Sequence, residues 1–249
     1  MYKNLENLNL DNLIKTRLHL GHKSNKLNSK LNTYIYGTRH NISIFDIEKI
    51  WKPFKYLFYS LVEFSYKKNT FFIVSTNNNL PTKEIISKFL KTYPFKVRKT
   101  KSLYITGYVD KKWIGGIFSN WKVILDFINF IKNSPKIKSR RYQKYLYYLK
   151  GIKNIKKSPL PDFLLALDPN KLALEEAKNL QIPILGLIDS NTNPDDFLYK
   201  FFGNDDSIES IEFFFEILKE AIKEGRLKEQ ELFLFIFLKK LKKKTINKI

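Results

Sequence analysis

An α/β fold with a doubly wound parallel sheet is the architecture this sequence predicts, on three observations. Strand-length apolar runs alternate with amphipathic helical stretches, most cleanly in the second half of the chain. The apolar runs are nearly continuous, as in parallel strands covered on both faces. No self-similarity of solenoid length appears, so the alternation itself carries the fold, and right-handed crossovers then give a layered sandwich. At 249 residues the chain is long enough for one large domain with its own core.

The elements follow in order. "TYIYGTRHNISIF" reads as two short strands around a Gly-containing turn. From Asp46 to about Tyr66, Ile47, Ile50, Trp51, Phe54, Leu57, Phe58, Leu61 and Val62 recur at helical spacing, with Pro53 early enough to be tolerated at some cost. "TFFIVST" is a buried strand, "LPTKEIISKFLKTY" a helix with Pro and Thr at its start, and "SLYITGYV" the next strand. Ser119 to Lys150 forms two basic helices broken near Ser134 and Pro135, and these interrupt the rhythm as a projecting helical hairpin. "DFLLALD" (strand), "NKLALEEAKNL" (helix), "IPILGLIDS" (strand), a polar loop to "FGNDD" and the helix "SIESIEFFFEILKEAIKEG" complete the pattern.

Charge is segregated along the chain. The net charge of +21 suggests a polyanionic partner, although 39 lysines against 6 arginines, 22 asparagines and only 4 alanines also mark AT-rich codons. Residues 1–160 carry net +24, residues 161–224 net −9 and residues 225–249 net +6. Codon bias would not separate charge in this way, so one face is expected to meet a polyanion and another to meet solvent or basic neighbours. There is no cysteine, which excludes disulfides and thiolate metal sites. No apolar run approaches the roughly 20 residues of a membrane span. "MYKNLENLNLDNLIK" lacks the look of a signal or transit peptide, which suggests synthesis and use inside an AT-rich organelle or bacterium.

Several residues could carry chemistry. Asp168 and Asp189 end predicted parallel strands, where open α/β sheets place ligands, and with Asp205 and Asp206 they could hold Mg²⁺ in a nucleotide-binding or phosphoryl-transfer enzyme. Caps and turns explain "DPN" and "DSNTNPDD" better, since no nucleophile, general base or phosphate-binding glycine loop accompanies them. His19 and His22, three apart, could share a helical face, but a metal would need a third ligand, and only His40 remains outside the carboxylates. An RNA-contacting or structural role fits them better, with Gly21 allowing close backbone approach. In "DKKWIGGIFSNW", Lys111 and Lys112 precede Trp113, which either stacks on RNA or packs inside, whereas Trp121 reads as core. "RRYQKYLYYLKGIKNIKK" has four tyrosines among its basic residues and no acid, which points to nucleic acid. The tail "ELFLFIFLKKLKKKTINKI" reads as a docking segment for protein or RNA, with an interfacial membrane helix or a packed strand as the other options.

"HLGHKSNKLNSKLNTYIYGTRHNISIFDIEK", "KWIGGIFSNWK", "LKGIKNIKKSPLPDFLLALDPNK", "EEAKNLQIPILGLIDSNTNPDD" and "FGNDDSIESI" together, in this order, resemble the S-two family of small-subunit ribosomal proteins of bacterial and organellar type. The resemblance implies a flavodoxin-like α/β domain with an inserted coiled-coil hairpin, here shortened, and a structural role in binding small-subunit rRNA and neighbouring ribosomal proteins. It implies a 1–18 extension, a 19–225 domain with the hairpin at about 121–150, and a basic 226–249 extension. The expected rRNA contacts or supports are His19, His22, Lys23, Lys26, Lys30 and Arg39, joined by Lys111, Lys112, Trp113, Arg140, Arg141, Lys144, Lys150, Lys153, Lys156 and Lys157 from the basic clusters. In this reading Asp205 and Asp206 open the last helix. No catalytic residue, metal, cofactor, small-molecule substrate or homo-oligomer is expected, and the mitochondrial matrix is the expected location. Leu27 and Ser29 replace the family's usual Trp and Pro, and "YKFF" replaces its Tyr-Pro-Ile-Pro.

Overall fold

The computed structural model describes residues 10–77, 82–92, 104–133, 139–153, 155, 159–168 and 170–246. After a short helix, α1 (Leu10–Lys15), come three strands, β1 (Leu20–Lys23), β2 (Ile35–Arg39) and β3 (Ile42–Phe45), forming an antiparallel sheet in the order β1-β3-β2. The β2–β3 turn is made by His40 and Asn41, both left-handed with φ of 49° and 60°, which asparagine tolerates through its short polar side chain. The glycine expected in this turn, Gly37, instead lies within β2.

Helix α2 (Ile47–Lys67) starts where Asp46 accepts hydrogen bonds from the N–H groups of Glu48 and Lys49, at 3.2 and 3.3 Å. It ends at Lys68 in the left-handed conformation. Then follow β4 (Thr70–Val74), α3 (Thr82–Thr92), β5 (Tyr104–Val109), α4 (Trp121–Asn133), α5 (Arg140–Tyr148), β6 (Phe163–Ala166), α6 (Lys171–Asn179), β7 (Ile184–Ile188), β8 (Tyr199–Phe202) and α7 (Ile208–Ile246). The five later strands are all parallel in the order β5-β4-β6-β7-β8. Counted from β4 this is 2-1-3-4-5, the flavodoxin-like winding.

Each strand divides its residues between two cores. Phe71, Ile73, Phe163, Leu165 and Leu187 pack with α2, α3 and α7, while Phe72, Val74, Leu164, Ala166 and Ile188 pack with α4, α6 and the segment around Trp113. Period-2 alternation of uniformly apolar residues is what a sheet covered on both faces requires. Strand β8 lies inside the stretch read as a polar loop. It has only four residues, one of them Lys200, and sits at the sheet edge, so its pattern is too short to stand out.

The hairpin is present: Phe127 meets Tyr145 edge-on at 5.5 Å and Phe130 meets Tyr142 at 6.4 Å, holding α4 against α5. The boundary expected after Gly225 falls inside a single helix. Gly225 stops nothing; its missing Cβ lets α7 cross α2, because a Cβ there would lie 2.6 Å from the Val62 carbonyl oxygen and from the Ser65 Cβ. Ser65 Oγ donates to the Ile222 carbonyl, at 2.9 Å, across the same contact. Gly225→Val is therefore expected to destabilise the protein by about 1–3 kcal/mol, the cost of overpacking, read as a lower urea midpoint. Among the described residues no helix is long and apolar enough to cross a membrane.

Candidate nucleic-acid interface

The stretch from His19 to Arg39 is tied to the main sheet through β1. His22 donates its backbone N–H to Ser190 Oγ at 2.7 Å, and its ring bridges two acids, with Nδ1 3.0 Å from Asp189 and Nε2 3.2 Å from Asp206. Gly21 permits this approach, since a Cβ there would come within 2.6 Å of Ser190 Oγ. The close approach foreseen for RNA is thus made to the loop after β7. The Asp189 hydrogen bond holds His22 above its ordinary pKa against the opposing effect of burial, with the charges of Asp189, Asp205 and Asp206 adding to it. Burial, then the charges of Asp189 and Asp206, pushes the Asp205 carboxyl up to about 8.

His19 does not join this group. His19 ends a turn and His22 lies in β1, so the two do not share a helix and the shared helical face does not form. Burial lowers the His19 pKa against a backbone hydrogen bond at Leu13, leaving a neutral ring that supports packing. The partners of His22 come from the distant loops after β7 and β8: its own ring with Asp205 and Asp206 places three ligand atoms within 4.8 Å of one another. Asp205 Oδ1 is buried without a hydrogen-bond partner among the described residues. This nitrogen-and-oxygen set is of the kind that could hold a divalent ion. Asp168 is not part of it, because both its oxygens are taken by the N–H and hydroxyl of Thr76.

Lys23, Lys26, Lys30 and Arg39 are exposed, and Lys30 pairs with Asp195. Sequence reasoning missed Tyr36. Ile35 and Gly37 face successive residues of β3, Phe45 and Ile44, so Tyr36 is the extra residue of a bulge, and its ring stands 80% exposed with no acid between His19 and Phe45. A flat ring on a basic sheet is a stacking platform for a base.

Trp113 is a correction. Its ring is 2% exposed, packed edge-on against Phe72 and Phe118, and its indole N–H donates to Glu176 Oε2 at 3.0 Å, so no face is left for RNA. Glu176 also accepts from the N–H groups of Gly116 (3.2 Å), Phe118 and Ser119 (2.8 Å each) and from the Ser119 hydroxyl (2.9 Å). Burial raises this carboxyl, but the Ser119 and Trp113 hydrogen bonds outweigh it and leave the pKa below its ordinary value. One buried acid thus shapes the turn that follows Lys111 and Lys112. Trp121 is buried, as its reading as core requires.

Arg140, Arg141, Lys144 and Lys150 are exposed on or just after α5. Lys153 is half-buried, its carbonyl accepting from Lys132 Nζ at 2.7 Å. Lys156 and Lys157 lie outside the described residues.

Comparison with known proteins gives a consistent answer. The family model described as "Ribosomal protein S2" matches residues 13–225. The chain is 29% identical over 238 residues to "Small ribosomal subunit protein uS2" of Helicobacter hepaticus, covering 89% of this chain and 85% of that protein. It is 30% identical to the protein of the same name in Rickettsia akari (89% and 77% covered) and in Wolinella succinogenes (87% and 81%). These relatives give the phosphoryl-transfer alternative no support. A parallel sheet wound 2-1-3-4-5, a basic N-terminal sheet locked to it by His22, an inserted helical hairpin and a family match across most of the length place this chain in the ribosomal protein S2 family.

Proposed function

We propose that this chain is a structural constituent of the small ribosomal subunit, binding small-subunit rRNA and neighbouring ribosomal proteins, with a role in assembly rather than turnover. The family match over residues 13–225 carries this reading. The charge distribution supports it: the N-terminal sheet and hairpin present Lys23, Lys26, Arg39, Arg140, Arg141 and Lys144 to solvent, while the acidic 161–224 segment suits solvent or basic neighbours. The protein acts as a single copy in its subunit. We place it in a mitochondrial ribosome, on the AT-codon composition and the short hairpin, whose helices α4 and α5 have 13 and 9 residues.

Replacing Arg140, Arg141 and Lys144 together by Glu is expected to reduce incorporation into small subunits and to flatten the salt dependence of rRNA binding by about 2–3 in logarithmic slope. Filter binding of the variant to rRNA across a salt series measures the slope. Wild-type incorporation and slope would remove the hairpin from the interface. Cell fractionation with ribosome pelleting from purified mitochondria tests the location.

A further inference from the structure

The winding of the main sheet reverses between β4 and β6, the place where sheets of this kind bind ligands beyond the carboxyl ends of their strands. A polar crevice of about 550 Å³ opens there, lined by Thr76 after β4, Lys111 and Lys112 after β5, Asn170 after β6, and Tyr147 and Tyr148 of α5. Its size falls within the roughly 300–1,000 Å³ of small-ligand pockets. Topology and cavity therefore select the same spot independently.

The lining chemistry is one-sided. No carboxylate lies within ion-pair distance of Lys111 or Lys112 among the described residues. Two further ammonium groups sit over the rings, Lys83 at 5.8 Å from the centre of Tyr147 and Lys144 at 5.9 Å from that of Tyr148. Two acids next to the lining in sequence are withdrawn: Asp168 gives both oxygens to Thr76, and Asp110 is 3% exposed; Asp206, which accepts from the Asn77 side chain at 3.2 Å, is already paired with His22. Tyr147 remains 45% exposed even with Lys83 above it. The Asn170 side chain is already engaged, accepting from the Ala173 N–H and donating to Thr76 Oγ1. The crevice thus offers positive charge and aromatic faces, without a free side-chain amide or carboxylate among its lining residues to read a base edge bidentately.

We propose that this crevice receives one unpaired nucleotide of an RNA strand, its phosphate against Lys111 and Lys112 and its base against Tyr147, with little preference among the bases. This deepens the rRNA-binding reading and rests on it: the α/β body and the C-terminal end of α5 together take a single-stranded element.

The test uses the full chain with a single-stranded RNA decamer carrying one 5-bromouridine, and an RNA duplex of the same length. Photo-crosslinking is expected to mark Tyr147 or Tyr148. Tyr147→Leu should weaken decamer binding by about 5- to 150-fold, the effect of losing one stacked base, and leave duplex binding unchanged. Lys111→Gln with Lys112→Gln should flatten the salt slope for the decamer by about 1.4. Crosslinks confined to α4, to residues 140–145 of α5 or to the N-terminal sheet, with decamer affinity unchanged in Tyr147→Leu, would overturn the proposal while leaving rRNA binding intact. Equal weakening of decamer and duplex by Tyr147→Leu would overturn it as well, by showing a general rather than a nucleotide-specific loss. Failure of the wild-type chain to bind either RNA would bring down the underlying reading with it.

Discussion

Replacing Glu176 with alanine is expected to destabilise the protein by about 3–5 kcal/mol, the range seen when a buried charge leaves its partners unpaired. Three backbone N–H groups, the Trp113 indole and the Ser119 hydroxyl converge on this one carboxylate, and alanine offers none of them an acceptor. Because Trp113 and Phe118 pack on Phe72 of the sheet, the loss should also be visible as altered tryptophan fluorescence. Glu176→Gln is milder but not neutral, since its amide nitrogen would face an N–H. The glutamine variant also separates charge from shape. Since the folded pKa of Glu176 lies below its ordinary 4.5, its stabilisation is fully present above about pH 4.5 and is lost as pH falls through the depressed value. The stability gap between wild type and Glu176→Gln should therefore be constant at neutral pH and shrink in acid. A gap that does not change with pH would mean that the carboxylate charge contributes nothing.

The second large effect is expected at Asp189. This residue is fully buried, accepts from the N–H groups of Ser190 and Asp205, and pairs with His22 Nδ1. Asp189→Ala is expected to cost about 3–5 kcal/mol for the same reason as at Glu176, but its consequence differs. It should loosen the N-terminal sheet from the body. Limited trypsin digestion should then cut faster at Lys23 and Lys26, whereas Glu176→Ala should not change those sites selectively. A double-mutant cycle of Asp189→Ala with His22→Ala should return a coupling of about 1.5–3 kcal/mol, as for a hydrogen bond between charged groups. Additive effects would show that ring and carboxylate act separately.

Much of the scaffold was legible in the sequence because it depends on local pattern. The apolar spacing of α2 and the strand runs around Phe71 and Leu164 are each set by neighbouring residues, whereas the break expected at Ser134 and Pro135 lies outside the described residues. What escaped depends on long-range pairing or on a signal with two meanings. Glu176 and Trp113 are 63 residues apart, and Ser190 is 168 residues from His22, so nothing local announces either bond. Gly225 looks like a helix terminator, yet here its lack of a side chain serves the crossing of α2 and α7. Read as helix, His19 and His22 share a face; with one in a turn and the other in β1 they take separate roles, and only His22 pairs with acids. The resemblance located the basic segments. The structure divides them into exposed cations such as Lys23 and Arg39, a tethered one in Lys30, and a tryptophan turned to the core.

The most direct test of the account is sedimentation of a native lysate through sucrose gradients at moderate and then high salt, following this protein in every fraction. Co-migration with small subunits that survives moderate salt is the predicted result, with release beginning only as screening weakens its phosphate contacts. Recovery solely at the top of the gradient at moderate salt would contradict it.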